Sequence, residues 1–285
     1  MASMRDIKRR KQSISSTQQI TKAMKLVSTV KLQKAKARAE QTNPYFNYMY
    51  KTVSSMLAKS GNVNHPFLTA GDTKKKAVVV LTSNRGLAGG YNSNIVKMIL
   101  NEDWDKEDLD IYAIGGKGEE TLRNKGYNIV ESNPDMMENP TYDEAKVLCD
   151  QVLEAFTKGQ IGEIYLLYTH FKNTVTQEPK LIKLLPVEIN EEDLKEEDTT
   201  LMMNYEPNEE EALDLIIPKY VTSLFYGALV EAHASENGAR MQAMDSATSN
   251  AEDMISDLTL KYNRARQGSI TQELTEIIAG ANAIS

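Results

Sequence analysis

The 285-residue chain is 41% apolar and 26% charged, which suits a globular protein with one or two cores and excludes a disordered chain. It has no run of about 18 apolar residues, so no bilayer-spanning helix is expected. The formal net charge of −7 hides a segregation. Residues 1–60 carry thirteen Lys and Arg against only Asp6 and Glu40, a balance of +11, whereas the remaining 225 carry twenty basic and thirty-eight acidic groups, a balance of −18.

Residues 1–43 contain neither Gly nor Pro, and residues 219–267 contain no Pro. Long uninterrupted helices are therefore expected at both ends, rods of roughly 60 and 70 Å at about 1.5 Å per residue. They exceed the usual helix of about 11–12 residues, and matched rods at opposite termini predict an antiparallel pair. The first rod runs from about Ser3 to the late fifties, with Pro44 as a kink or restart because Pro lacks the donor N–H. The N-terminus has no apolar signal-peptide core, and the helical pattern starts by Met4–Ile7, which predicts no dispensable leader.

A loop is expected over 62–72, around Pro66. The apolar run Ala77–Leu81 then reads as a strand buried on both faces. It leads through the glycine-rich stretch Thr82–Asn92 into a helix over 92–100. A second strand at 110–114 meets Gly115-Gly116-Lys117-Gly118 and a helix to about Asn124. A helix over 142–157, a strand over 164–171 and an antiparallel edge strand over 180–188 complete a small Rossmann-like α/β domain with a mostly parallel sheet. Residues 188–211 are acidic and read as a solvated connection. The second rod follows from about Glu209. Its apolar or small positions run from 217 to 265 with a mean spacing near 3.7, through 243, 247, 251, 254 and 258, which predicts a loosely wound pair. On the first rod the seam reads as Ile7, Ile14, Ile20, Met24 and Val27, with Ile14, Ile20 and Val27 facing the Ala/Ser/Met stripe of the second. Three segments result: a helix over 1–60, an α/β domain and acidic connection over 61–208, and a helix over 209–285.

The chemical motifs are weak. Gly86-Leu87-Ala88-Gly89-Gly90 lacks the Lys-Ser/Thr of a phosphate loop, and Gly115-Gly116-Lys117-Gly118 lacks the GxGxxG spacing, so glycine is expected there for tight turns alone. His65, His170 and His233 show no ligand spacing, and Cys149 reads as a buried core residue. No catalytic residue, cofactor or metal is indicated. The cationic first helix must face something anionic or be solvated on that side. Nucleic acid fits poorly, because no aromatic platform precedes Tyr45. A membrane surface also fits poorly, because the apolar stripe is thin and lacks Trp and Phe. Acidic loops of a protein partner and a solvated basic face remain.

Several segments are distinctive: Arg5-Asp6-Ile7-Lys8-Arg9-Arg10, Gln18–Val27, Ser83–Asn92, Tyr205-Glu206-Pro207, Glu236–Met241 and Ile270–Ala281. Together they resemble the gamma subunit of the bacterial F-type rotary ATP synthase from end to end. The resemblance implies a non-catalytic central rotor shaft, a coiled coil inside the ring of alternating alpha and beta subunits. The α/β domain would rest with the epsilon subunit on the membrane ring of c subunits. It implies a peripheral position on the cytoplasmic face of the bacterial plasma membrane, with no direct membrane insertion and no nucleic acid. By position in the motifs, Met24, Arg9, Arg10 and Arg240 lie where partners grip the shaft, and Gln267, Thr271, Glu273 and Thr275 form the neighbouring C-terminal face, which is expected to share one contact network with Met24. An acidic loop region on beta would meet the cationic helix. The alternative is a stand-alone nucleotide-binding α/β protein with a coiled-coil arm.

Overall fold

Strand β1 (Lys76–Leu81) sends alternate side chains to opposite faces of a sheet, and both faces are covered. Ala77, Val79 and Leu81 belong to one apolar core, and Val78 and Val80 to a second. This explains why the strand reads as an unbroken apolar run rather than an alternation. A computed structural model describes residues 4–59, 65–187 and 208–284. The expected acidic connection over 188–211 lies almost wholly outside the described residues.

The sheet has five strands in the order β3-β2-β1-β4-β5, where β2 is Leu109–Ile114, β3 Asn128–Ser132, β4 Glu163–Phe171 and β5 Gln177–Leu185. The first four are mutually parallel and β5 pairs antiparallel with β4, as expected for the edge. One face carries α2 (Tyr91–Asn101) and α3 (Gly116–Asn124), with Ile95, Ile99 and Leu122 against Val78, Val80 and Ile111. The other carries the single turn α4 (Asp135–Glu138), helix α5 (Tyr142–Thr157) and segments of the two terminal helices. Thr141 caps α5: its Oγ1 accepts from the Glu144 N–H and donates to the Glu144 carboxylate.

The terminal helices are α1 (Met4–Lys59) and α6 (Glu209–Ile284). Pro44 sits inside α1 without a restart, and Pro218 sits inside α6. The chain divides into two compact units, and each terminal helix contributes to both. The larger, Thr29–Arg240, holds the sheet. Within it α1 and α6 pack antiparallel, with Phe46 beside Tyr226 and Tyr50 beside Tyr220. Ile217, Val221, Phe225 and Leu229 of α6 are almost fully buried there. An 18-residue window of α6 reaches a mean hydropathy of 1.3, enough by length and composition for a membrane span. In this structure 67% of that window is buried, so it serves as a core helix.

The smaller unit comprises residues up to Ser28 and from Met241 onward, an antiparallel helix pair. Its seam keeps the expected Ile14, Ala251 and Leu258 and differs from expectation elsewhere. Buried positions on α6 are Met244, Ala251 and Leu258, seven apart, and on α1 Thr21 and Ser28, also seven apart, continuing a part-buried Ile7 and Ile14. That is a 3.5-residue period, the signature of a left-handed coiled coil rather than the looser 3.7 repeat read from the sequence. Ile20 and Val27 do not enter the seam: they are 61% and 58% exposed. The sequence reading follows the apolar residues, whereas the seam follows a heptad in which the inward residues include Gln18, Thr21, Lys25 and Ser28.

Candidate functional site

In the smaller unit, three polar cross-links hold the middle of the seam. Gln18 Nε2 donates to Glu252 Oε1 at 3.0 Å, the Thr21 and Thr248 hydroxyls lie 2.8 Å apart, and Lys25 Nζ reaches Asp245 Oδ1 at 2.6 Å. Each lies about one turn from the next, and partners descend along α6 as α1 ascends, which fixes the antiparallel register. Polar groups are placed here because Thr and Gln occupy heptad positions that apolar residues would normally take.

With the seam satisfied by polar groups, apolar side chains are left outside. Ile20, Leu26 and Val27 are all more than half exposed on α1, beside part-buried Met24 and exposed Lys22. An apolar strip on a cationic helix is a binding surface in outline. Arg9 and Arg10 are exposed farther toward the N-terminus, and Arg9 lies only 3.8 Å from Asp6. At the other end of the unit, α6 runs on with every described side chain from 271 to 282 exposed. Ile270, Leu274, Ile277 and Ile278 are apolar and 48–67% exposed. Gln267, Thr271, Glu273 and Thr275 lie on this stretch. Thr271 Oγ1 donates to the Gln267 carbonyl at 2.9 Å, Thr275 Oγ1 to the Thr271 carbonyl at 2.8 Å, and Ser269 Oγ to Glu273 Oε1 at 3.3 Å. These are all local helical contacts, so the carboxylate and amide of this face remain largely open to a partner.

The register separates these two surfaces. Met24 is level with Asp245, and Gln267 lies 22 residues farther along α6, about 33 Å at 1.5 Å per residue. Met24 and the Gln267–Thr275 face are thus distinct sites within this unit rather than the neighbouring ones expected, because the antiparallel register sets Met24 level with Asp245 and not with the end of α6.

Arg240 belongs to the larger unit. Its Nη1 pairs with Glu236 Oε1 at 2.6 Å, both side chains being only 10–12% exposed, and its Nη2 donates to the Arg85 carbonyl at 3.2 Å. One turn before Glu236 on α6, the Ala232 carbonyl accepts from the Tyr91 hydroxyl at 3.1 Å. Burial, reinforced by the Glu236 carboxylate, pushes the Tyr91 hydroxyl well above the ordinary tyrosine range, so it is a neutral donor. The Glu236–Met241 segment thereby clamps the Ser83–Asn92 turn to α6. Within that turn Asn92 Oδ1 accepts from the Ser83 N–H at 2.9 Å, and exposed Leu87 holds a left-handed φ of 64°.

The glycine clusters do not offer a phosphate cradle at α3. The Gly116 N–H donates to Asn84 Oδ1, the Lys117 N–H to the Ser83 carbonyl and the Gly118 N–H to Thr82 Oγ1, all at 2.9–3.0 Å. The groups that would bind an anion at the helix N-terminus are already used. Glycine is needed there for space: a Cβ on Gly115 would fall 2.0 Å from the Thr82 carbonyl oxygen, and one on Gly118 2.5 Å from Thr82 Oγ1.

The remaining reactive side chains have structural partners. Cys149 is buried against α6 and its thiol is pushed up to about 12 by burial. His170 Nδ1 lies 2.7 Å from Glu231, and His233 Nδ1 donates to the Met137 carbonyl at 2.8 Å. Among the described residues no group of three or more His, Cys, Asp or Glu is placed to hold a metal ion.

Sequence reasoning misses the polar seam and the outward apolar strip. The signal is present: Ile7, Ile14, Thr21 and Ser28 stand seven apart, a repeat visible only when polar residues are allowed into the template.

Residues 3–284 match the family described as ATP synthase. Over 293 aligned residues the chain is 65% identical to the ATP synthase gamma chain of Lachnoclostridium phytofermentans, covering 100% of both. It is 45% identical to the ATP synthase gamma chain of Alkaliphilus metalliredigens, covering 99% of this chain and 98% of the relative. Among solved structures, a chain of the Euglena gracilis mitochondrial ATP synthase shares the fold at 18% identity. That match has a TM-score of 0.73 and covers 99% of this chain and 94% of the other.

Proposed function

The chain belongs to the ATP synthase gamma-chain family, the central-stalk rotor subunits of that enzyme, and from this we propose how its surfaces couple rotation to catalysis. The segments 1–60 and 209–285, whose described parts are α1 and α6, serve as the shaft, and 61–208 holds the α/β domain. The coiled coil turns inside the ring of alternating alpha and beta subunits. The α/β domain sits with the epsilon subunit on the membrane ring of c subunits, at the cytoplasmic face of a bacterial plasma membrane. Ion flow turns the shaft, which presents different faces to three beta subunits in succession and changes their nucleotide affinity in turn.

The observation that carries this reading is the inverted amphipathicity of α1. Its seam toward α6 is bridged by Gln18, Thr21 and Lys25, while Ile20, Leu26 and Val27 face outward among lysines. A coiled coil serving only its own stability would bury the larger apolar residues. One that must slide against a surrounding collar needs its adhesive surface outside. Met24, Arg9 and Arg10 contact that collar, and Gln267, Thr271, Glu273 and Thr275 contact it near the end of α6. Arg240 acts from behind, by holding the Ser83–Asn92 turn through Glu236 and the Arg85 carbonyl.

The subunit itself is non-catalytic. Its α3 N-terminus is closed by Asn84, Ser83 and Thr82, and Cys149 is a buried, protonated thiol. The same closure argues against the stand-alone nucleotide-binding alternative.

Reconstitution with purified alpha and beta subunits tests the proposal. A stoichiometric complex is expected, whose ATP hydrolysis drives ion pumping once the membrane sector is added, while the chain alone hydrolyses no ATP. Removing the last dozen residues should lower the pumping-to-hydrolysis ratio more than it lowers assembly. ATP turnover by the highly purified chain alone would overturn the non-catalytic assignment.

A further inference from the structure

A cleft of about 340 Å³ opens in the larger unit between α1, the middle of α6 and the turn that joins α4 to α5. Lys31, Lys34 and Arg38 line it from α1, spaced i, i+3 and i+7 and so on one face of that helix. His233 of α6 and Glu138 at the end of α4 line it too.

None of the three cations has a carboxylate partner among the described residues. Elsewhere on its helices this chain does pair them: Lys117 with Glu120, Arg123 with Glu119, and Lys158 with Glu154. Like charges on successive turns repel by a few tenths of a kcal/mol per pair, a standing cost with no internal compensation here. Arg38 is the exception in being anchored, its guanidinium lying over the Tyr226 ring at 5.9 Å from the centroid. His233 Nδ1 faces a carbonyl, which can only accept, so the ring proton sits on Nδ1 and Nε2 is the nitrogen left for another partner.

The charges and the lining select the ligand class. Three cations against Glu138 leave two uncompensated positive charges, suited to a phosphate dianion. The volume falls within the range of small-molecule sites, about 300–1,000 Å³. The apolar part of the lining is Ala35, Pro140 and Val230, which gives no aromatic face on which a base could stack, and the Tyr226 ring is taken by Arg38. We infer that this cleft binds a small inorganic phosphate, ortho- or diphosphate, with its oxygens accepting from the Lys31 and Lys34 ammonium groups and the Arg38 guanidinium. Occupancy cancels the repulsion along α1 and ties that helix to the α4–α5 turn.

Titration calorimetry of the full chain with orthophosphate and with diphosphate tests this, since the two arms separate the sources. Saturable binding at one site is expected, weakened about tenfold or more in Lys34→Gln/Arg38→Gln and unchanged in Lys51→Gln, an exposed cation of α1 outside the cleft. Circular dichroism confirms that each variant is folded. Absence of saturable binding, or an equal loss in Lys51→Gln, overturns the site in favour of general attraction to a cationic helix. ATP binding more than tenfold tighter than diphosphate overturns the inorganic assignment, because a base would then be read. Displacement of diphosphate by a lower concentration of hexaglutamate peptide would make the cleft a dock for an acidic protein loop instead.

Discussion

Thr21 Oγ1 and Thr248 Oγ1 lie 2.8 Å apart at the centre of the α1–α6 seam, where a coiled coil would ordinarily place two apolar side chains. Each hydroxyl has one proton. Thr248 Oγ1 lies 2.7 Å from the Met244 carbonyl, so it donates there and accepts from Thr21. Thr21 keeps a second acceptor in reserve, the Gln18 carbonyl at 3.0 Å.

This relay predicts an asymmetric response to Val. Thr248→Val removes an acceptor, yet Thr21 can turn to Gln18, so the cost is at most about 1 kcal/mol. The double variant Thr21→Val/Thr248→Val replaces both hydroxyls by methyl groups in a heptad seam and is expected to be neutral or stabilising. Thermal unfolding followed by helical circular dichroism checks both. A double variant less stable than either single one would show that the hydroxyl pair is worth more than its apolar replacement.

The Glu236–Arg240 pair should respond far more strongly. Glu236→Gln leaves the Arg240 guanidinium nearly buried without its carboxylate, a loss of about 3–5 kcal/mol. The charge reversal Glu236→Arg/Arg240→Glu keeps an ion pair but takes the donor away from the Arg85 carbonyl, so it should restore only part of the loss. Denaturant titration of the parent and the two variants distinguishes these outcomes. A Glu236→Gln protein within about 1 kcal/mol of the parent would reduce the clamp to an ordinary surface pair.

The glycines at the head of α3 give a spatial test. Gly115→Ala puts a methyl group against the Thr82 carbonyl and forces a residue with φ near +100° into a strained region, so a loss of at least about 2 kcal/mol is expected. Gly116→Ala, with nothing within 4 Å of its new methyl, should be neutral or slightly stabilising. Equal effects in the melting temperature would mean that the close approach of β1 and α3 is not what requires glycine.

Much of this architecture is legible because the sequence obeys simple periodicities. The doubly buried β1, the edge position of β5 and the long proline-poor helices all follow from residue order. Strand β3 escapes the sequence reading because Asn128–Ser132 has only Ile129 and Glu131 turned partly inward and leaves Val130 half exposed, too little apolar signal for a parallel edge strand. The seam departs from the sequence reading for a different reason. Hydrophobicity assigns Ile20 and Val27 inward, but Thr21 and Ser28 take the inward positions because small residues permit close helix approach. Of the candidate site, Arg240 is found by motif alone. Its bond to the Arg85 carbonyl joins residues 155 apart, which no local pattern reveals.

Burial of Cys149 predicts a pH dependence. Its thiol ionises near ~8.5 in an unfolded chain and is held up to about 12 in the folded one, so the folded state keeps its proton over that window. The contribution to stability is complete below about pH 8.5 and declines as pH rises toward 12. Cys149→Ala should flatten the fall in stability between about pH 8.5 and 9, below the range in which the tyrosines of the unfolded chain ionise. In the folded protein at about pH 8, iodoacetamide should label Cys149 much more slowly than in urea. Equal labelling rates would place the thiol outside the core.

Met24 is the residue on which the coupling proposal can be tested most directly. It is part-buried beside Lys25, whose ammonium already engages Asp245 at 2.6 Å, so the carboxylate that faces this turn from α6 is taken. An ammonium placed by Met24→Lys therefore has to find its counter-charge on a partner, and the acidic surface of beta is the proposed one. Partly buried ion pairs are worth more than exposed ones, which usually give below about 1 kcal/mol. A contact that must break and re-form at every rotation step lowers efficiency when it is too strong, even with assembly intact. Met24→Lys is thus expected to assemble and hydrolyse ATP but to pump fewer ions per ATP. Glu273 lies 28 residues beyond Asp245 on α6, about 42 Å away, so changes there can modify the defect only through the partner. Any non-additivity between Met24→Lys and Glu273→Gln then reports the collar, not the shaft. Met24→Leu is the control, because it keeps the packing and adds no charge. Equal pumping-to-hydrolysis ratios in Met24→Leu and Met24→Lys would reduce Met24 to a filler beside the seam.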